Sequence, residues 1–387
     1  MRRYLALIVA LFFGLCVFAG TASAMKRSKF GTDDRHEMAK DIEFEASDKT
    51  FDWKMVMPWS EGLLFYDVAQ HFCDSVRLAT AGRVDIKPFS AGELVPAMQS
   101  FEAVEKGTAQ VGHDWPGYWK GKNEAFVAFA SVPFGLDKEG YNIWLYERGG
   151  AEMMDNLYGQ FNMKAFPGGN VGQELGFFSN KRATTPKDFK GLRLRTPGWW
   201  MDIMTNFGAS VSPLPGGEVY LALERGVVDA AEFSSPAITY PMGFDQVTEY
   251  VIEPGVHQPS CQNAIFINQD AWNKLPEHYQ EIIKICAKET QLWSQAWSEN
   301  LNAKAIHALE GKVEFVKMDK ETLIEMRKET KKYLDETVKQ RSEMAKKVLN
   351  SQEEFIQEFD AWRKMRSGVN EPIPYEEYIE GKFWYYQ

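Results

Sequence analysis

The sequence predicts an α/β fold of two lobes followed by a long helical segment. Three observations carry this. The 387 residues suffice for about two domains. Short apolar or alternating runs exchange with segments of helical period in two successive series, the pattern of a largely parallel sheet. The C-terminal part lacks helix breakers, with neither Gly nor Pro from Lys312 to Ser367.

The chain opens with Arg2 and Arg3, an uncharged run from Tyr4 to Gly20, and the small-residue stretch Thr21-Ala22-Ser23-Ala24. That order reads as a cleavable signal peptide over residues 1–24, the run being shorter than the ~20 residues a spanning helix needs. Residues 25–48 are charge-rich and read as a mobile leader. Without Cys16 the mature chain has Cys73, Cys261 and Cys286, room for at most one disulfide, and no spacing selects the pair.

The first series then begins. Phe51 to Met57 reads as a strand, Leu63 to Leu78 as a helix with Leu64, Val68, Phe72 and Val76 on one face, and Arg83 to Pro88 as a second strand. Ala97 to Lys106 reads as helix and Ala109 to His113 as strand. In the second series, Asn162–Phe166, Leu175–Phe178 and Gly191–Arg195 read as strands, Trp199–Phe207 and Val219–Arg225 as helices, and Val227–Phe233 as a strand entering a site. The divisions expected are lobe I over residues 49–158, completed by 254–318, lobe II over 159–253, and a helical extension over 319–387. Leu334, Val338, Val348 and Phe359 repeat at helical spacing through that extension, which Asn350-Ser351 would divide. Burying this stripe and the aromatic end Phe383-Trp384-Tyr385-Tyr386 calls for a homodimer, or for packing back on the hinge.

Composition narrows the function. The chain is 44% hydrophobic and 25% charged, with a formal net charge of −10. Such an acidic balance disfavours nucleic acid and anionic membrane surfaces as partners. The six histidines show no metal-ligand spacing, and HExxH, GxSxG, GxGxxG and the Walker loop are absent, so the reading is not an enzyme. The glycines of Gly168-Gly169-Asn170-Val171-Gly172 suit a loop where backbone approaches backbone or ligand.

Arg195 ends an alternating strand just before Thr196-Pro197-Gly198, where open α/β sheets bind ligands, and its planar fork matches a carboxylate. By strand period Arg193 should share its face. Glu232 follows Asp229-Ala230-Ala231 and could pair with an arginine or hold a cation. Gln173, after the glycine-rich loop, offers an amide. The clusters Trp115-Pro116-Gly117-Tyr118-Trp119 and Trp199-Trp200 suggest the walls of a small-molecule cleft.

Several stretches together resemble the solute-binding proteins of tripartite ATP-independent periplasmic (TRAP) transporters. They are Gly92-Glu93-Leu94-Val95-Pro96, Val111-Gly112-His113, Val132-Pro133-Phe134-Gly135-Leu136, Thr185 to Gly198, and Leu214-Pro215-Gly216-Gly217-Glu218-Val219-Tyr220 with Ala222 to Ala230. Within that family the chain resembles the mannitol/chloroaromatic and 2-oxo-acid-binding subgroup. The resemblance implies a periplasmic receptor with a hinge between its lobes, which captures a small monocarboxylate, such as a 2-oxo or 2-hydroxy acid, and delivers it to membrane subunits of the transporter. It places the carboxylate clamp on Arg195 and further ligand contacts on Gln173, Tyr118 and Phe233, to which the aromatic clusters add Trp119 and Trp199 as expected pocket walls. A bridging Na+ or Ca2+ ion would fall to Gln173, Glu232, Phe233 and Gln258; no other cofactor is implied. The family's Pro-Gly-Trp-Trp-Glu run is Pro254-Gly255-Val256-His257-Gln258 here, so an indole becomes His257 and a carboxylate becomes Gln258. The subgroup also implies a dimer formed through the C-terminal helix. The competing readings are a binding protein for an aromatic acid or polyol, a ligand sensor, and an exported enzyme on the same scaffold.

Overall fold

The computed structural model describes residues 49–370. The expected signal peptide, leader and terminal aromatic cluster lie outside the described residues. Among the described residues no helix is long and apolar enough to cross a membrane.

The strands, in chain order, are β1 (Phe51–Val56), β2 (Val84–Phe89), β3 (Val111–Asp114), β4 (Met163–Asn170), β5 (Phe177–Ser179), β6 (Arg193–Arg195), β7 (Ser210–Ser212), β8 (Ala230–Ala231), β9 (Tyr250–Glu253), β10 (Gln262–Asn268) and β11 (Glu314–Lys317). They form two sheets, β2-β1-β3-β10-β4 and β11-β9-β5-β8-β6-β7. β1 runs parallel to β2 and β3, and β6 parallel to β7 and β8; β10 and β5 are antiparallel to their neighbours. This is the two-sheet α/β fold the alternating series called for.

Two strands pair differently from the expected divisions. β4, expected in lobe II, joins the first sheet against β10, and β11, expected to complete lobe I, joins the second against β9. The choice is long-range. Met163, Ala165 and β10 are buried together, a contact that local periodicity cannot reveal. The glycine-rich run is where backbone meets backbone. The β4–β10 register slips at Gly168, and a Cβ there would lie 2.5 Å from the Ile265 nitrogen.

The helix Glu277–Leu309 packs on β4 through a polar stripe. Thr290, Gln291, Ser294, Ser298 and Asn302 are all buried on it. Gln291 Oε1 accepts from the Gly169 N–H at 2.8 Å, and Ser294 Oγ accepts from the Asn170 N–H at 3.0 Å. Main-chain donors freed by the irregular strand are thus satisfied by helix side chains, as burial requires.

The extension is helical over Lys320–Tyr333, continues through a π turn at Leu334–Val338 to Arg341, and resumes over Glu343–Asn370. The break is at Ser342, not at Asn350-Ser351. Ser342 has φ −144° and ψ 115°, and its hydroxyl accepts from the Ala345 N–H at 3.1 Å, starting the next helix. Ser351 stays helical and accepts from Trp144 Nε1 at 3.1 Å. The stripe is buried within the chain. Leu334, Val338, Ala345, Val348, Leu349 and Phe355 share one core with Phe129 and Trp144, each aliphatic side chain contributing about 1.5–3 kcal/mol. Only its far end remains open, where Trp362 is 57% and Met365 79% exposed. Cys73, Cys261 and Cys286 are free and buried.

Candidate ligand-binding site

The site is assembled from loops that follow strands. Trp115 and Tyr118 follow β3, Glu174 follows β4, Arg195 ends β6, Glu232 follows β8, and His257 and Gln258 follow β9. Ends of strands in an α/β sheet are where ligands bind, because side chains there project beyond the paired backbone.

Arg195 is 1% exposed. Its Nε donates to the Leu214 carbonyl at 2.9 Å and its Nη1 to the Glu232 carbonyl at 2.6 Å. Nη1 also lies 3.5 Å from Glu232 Oε2, and the guanidinium carbon is 5.2 Å from the Phe233 ring centroid. Two donors are therefore committed to holding the plane of the guanidinium, while Nη2 donates to no group among the described residues. Arg193, two residues earlier, instead lies at the surface and pairs with the buried Asp229 at 2.5 Å.

Beside the arginine lies a buried acid–imidazole cluster. His257 Nε2 is 2.9 Å from Glu174 Oε2 and 3.9 Å from Glu232 Oε2. Gln258 Nε2 donates to Glu174 Oε1, and Thr196 Oγ1 donates to Glu232 Oε1 at 2.6 Å. Burial pushes the Glu174 carboxyl up to about 8, against the opposing effects of hydrogen bonds and Arg195. Burial, with Glu174 adding to it, pushes Glu232 up to about 7. Burial lowers His257, against the raising effect of Glu232, and raises the Tyr118 phenol despite nearby Arg195. The cause is common to all four: charge without water is costly unless a partner of opposite sign is present. Glu174, Glu232 and His257 each offer one donor atom, all within 4.8 Å of one another. This donor set fits a cation.

An inner cavity of about 20 Å³ is lined by these acids with Arg195, Tyr118, Phe233, Trp59, Phe65 and Trp115. Trp59 stacks on Phe65 at 4.3 Å, and Trp115 meets Tyr118 edge-on at 5.2 Å. Ser234, at φ +66°, holds a strained conformation beside them. A larger cavity of about 940 Å³ adjoins through Tyr118, Arg195 and Pro197, and its lining includes Arg341, Ser342 and Met344 of the extension.

The structure brings Arg195, Tyr118, Glu232, Phe233 and Gln258 to one cavity. Three others fall elsewhere. Gln173 is exposed, and its neighbour Glu174 is the buried side chain in the cluster; two successive residues in an extended segment cannot face the same cavity. Trp119 is a core residue, its Nε1 bonded to Asp114 at 2.8 Å and its ring against Phe101. Trp199 is buried behind the wall with Nε1 donating to Glu124 at 2.7 Å. Gln258 reaches Glu174 rather than the point where the donor atoms converge. Glu174, Trp59, Phe65, Ser234 and Cys261 were not expected; the Gln173-Glu174 dipeptide was the one signal available.

The model of the family described as DctP, bacterial extracellular solute-binding protein, family 7, matches residues 55–341. The chain is 37% identical over 257 residues to the monocarboxylate 2-oxoacid-binding periplasmic protein of Nostoc sp., covering 66% of this chain and 71% of that one. Among solved structures it resembles the TRAP periplasmic solute-binding protein of Colwellia psychrerythraea with bound calcium and pyruvate (TM-score 0.80, 29% identity, 83% of this chain and 98% of that one). That of Pseudoalteromonas atlantica, with sodium and pyruvate, has a TM-score of 0.79 at 29% identity, with the same coverage. A Bordetella bronchiseptica TRAP solute-binding protein, a mixed-occupancy dimer with calcium and picolinate, has a TM-score of 0.80 at 27% identity, covering 83% and 96%.

Proposed function

The chain belongs to bacterial extracellular solute-binding protein family 7, and from that premise we propose that it is the periplasmic receptor of a TRAP-type transporter for a small monocarboxylic acid of the 2-oxo or 2-hydroxy class. The observation that carries this is Arg195: a guanidinium almost wholly buried, fixed by two main-chain carbonyls, with Nη2 uncommitted. A buried cation so placed suits a carboxylate, and a neutral polyol would leave it uncompensated. The Nostoc relative, named for 2-oxoacids, and the pyruvate-bound relatives support the same class.

In this reading Tyr118, Phe233, Trp59 and Trp115 shape the pocket, and Trp119 and Trp199 support it from behind. Glu174 and Glu232 would hold a cation, as the solved relatives hold calcium or sodium beside their ligands; such an ion supplies positive charge to a second ligand oxygen. The inner cavity of about 20 Å³ has room for about one water, so an acid enters by opening of the loops from the two sheets and is sealed from water when they close. The closed form then docks on the transporter's membrane subunits; no bond is made or broken. The expected signal peptide would deliver the receptor to the periplasm. A homodimer through the exposed end of the apolar stripe, Trp362 and Met365, belongs to the same reading, as the Bordetella relative forms a dimer.

Mass spectrometry of small molecules released from the purified mature protein, followed by thermal-shift ranking of C2 to C8 carboxylates, tests the assignment. A 2-oxo or 2-hydroxy acid at the head of the ranking is expected. An aromatic acid there would move the assignment to the picolinate type, and a polyol would overturn the clamp.

A further inference from the structure

Resting on the receptor reading above, the geometry points to a mixed nitrogen–oxygen cation site. We propose that Glu174 Oε2, Glu232 Oε2 and His257 Nε2 take a divalent first-row transition ion, of the zinc or cobalt class, in preference to Na+ or Ca2+.

The convergence of donor atoms is the first argument. Gln258 occupies Glu174 Oε1 and Thr196 occupies Glu232 Oε1. The second oxygen of each carboxylate is thereby turned toward His257 Nε2, at 2.9 and 3.9 Å. Bond lengths of about 2.0–2.1 Å around a tetrahedral ion separate its ligands by about 3.4 Å, between those two distances. Outer hydrogen bonds that aim first ligands in this way are a general feature of built metal sites. The His257 ring is itself buried and packs 5.8 Å from Trp200.

Donor chemistry is the second. Sodium and calcium are hard ions that take oxygen, whereas imidazole suits zinc, cobalt and nickel. A nitrogen donor among two carboxylates gains little from a hard ion and much from a borderline one.

Charge is the third. With both carboxyls ionised, as ion binding requires, Arg195 and the two carboxylates sum to −1, and a bound monocarboxylate makes −2. A divalent ion brings the buried set to neutrality and a monovalent ion does not, which matters where water is excluded. Independently, Ser234 is almost wholly buried, its Oγ meets at most the weakly bonding Cys261 thiol, and it borders the same cavity, as a hydroxyl does when a further group completes its bonding.

The test uses untagged mature protein freed of metal by a chelator. Calorimetric titration with Zn2+, Co2+, Ca2+ and Na+ should give one site, with Zn2+ at least about 100-fold tighter than Ca2+. His257→Gln should weaken Zn2+ and Co2+ about 100-fold, change the visible Co2+ spectrum and leave Ca2+ within about threefold, since only the nitrogen is lost. Pulsed electron paramagnetic resonance of Mn2+-loaded wild-type protein should show ¹⁴N coupling, a readout that does not depend on the variant folding. Ca2+ binding as tightly as Zn2+, an unchanged Co2+ spectrum in His257→Gln, or absent ¹⁴N coupling would each overturn the proposal. Failure of the receptor reading is seen separately: no carboxylate would bind wild-type protein with any metal, whatever the Co2+ spectrum shows.

Discussion

Arg195 and Glu232 meet twice: Nη1 donates to the Glu232 carbonyl at 2.6 Å and stands 3.5 Å from Glu232 Oε2, with both side chains almost wholly buried. The main-chain bond fixes the arginine and the carboxylate neutralises part of its charge. Removing either partner strands the other in a dry environment, a loss of about 3–5 kcal/mol when it is uncompensated.

Glu232→Gln should therefore weaken acid binding in a cation-dependent way. The amide keeps the volume and an oxygen but removes a charge from the cation position. Titrating the acid with and without chelator should show a large chelator effect in wild-type protein and a small one in the variant. Equal affinity in all four measurements would remove the cation from the site.

The ligand-free, metal-free protein should lose stability as pH rises from about 6.5 to about 8. Glu174 is held up at about 8 and Glu232 at about 7, against 4.5 for an ordinary glutamate. The unfolded chain has released these protons by neutral pH while the folded chain retains them. The contribution is full below about pH 4.5 and disappears as pH rises through the folded values. His257, lowered by burial, acts with the opposite sign but only below its ordinary value of 6.5, outside this window. Differential scanning calorimetry should show the melting temperature falling across it, and a saturating divalent cation should flatten the slope. A flat profile without cation would contradict the burial that holds these carboxyls protonated.

Leu349→Ala should cost about 2–5 kcal/mol, since Leu349 is 2% exposed in the core shared by the extension and Trp144. Denaturant unfolding reads it. A change under about 0.5 kcal/mol, the range of surface substitutions, would mean that this helix does not pack on its own chain in solution.

Light scattering of the mature protein at micromolar concentration should give a dimer mass, and Trp362→Glu with Met365→Glu should convert it to a monomer without lowering acid affinity. A wild-type monomer would show that the stripe is satisfied by the intramolecular packing already present.

Much of this molecule was legible in its sequence. Alternation located β1, β2 and β3, and helical period located Leu64–Ala79 and Trp199 within its helix, because each buries one face locally. Arg195 was singled out by its place at the end of an alternating strand before Thr196-Pro197-Gly198, and the family resemblance, more than the spacing, gave it the clamp role. What failed depended on contacts distant in sequence. β4 and β11 chose their sheets through partners about 60 to 100 residues away. The slip at Gly168 and the turn at Gly172, with φ +84°, break the alternation just before Gln173, so the inward side chain is Glu174. The helix Glu277–Leu309 buries Thr290, Gln291 and Ser294 against irregular backbone, so its inner face is polar and its amphipathicity misleading. Ser342 breaks the tail because its hydroxyl bonds both Asn123 and the Ala345 N–H, whereas Asn350-Ser351 only looked like a stop.

Isothermal titration of wild-type protein and Arg195→Met with the acid that heads the thermal-shift ranking tests the central claim most directly. Loss of one side of a buried charge-assisted pair costs about 3–5 kcal/mol, so affinity should fall by about 100-fold or more while circular dichroism stays unchanged. Affinity equal to wild type in a folded Arg195→Met protein would contradict the carboxylate clamp.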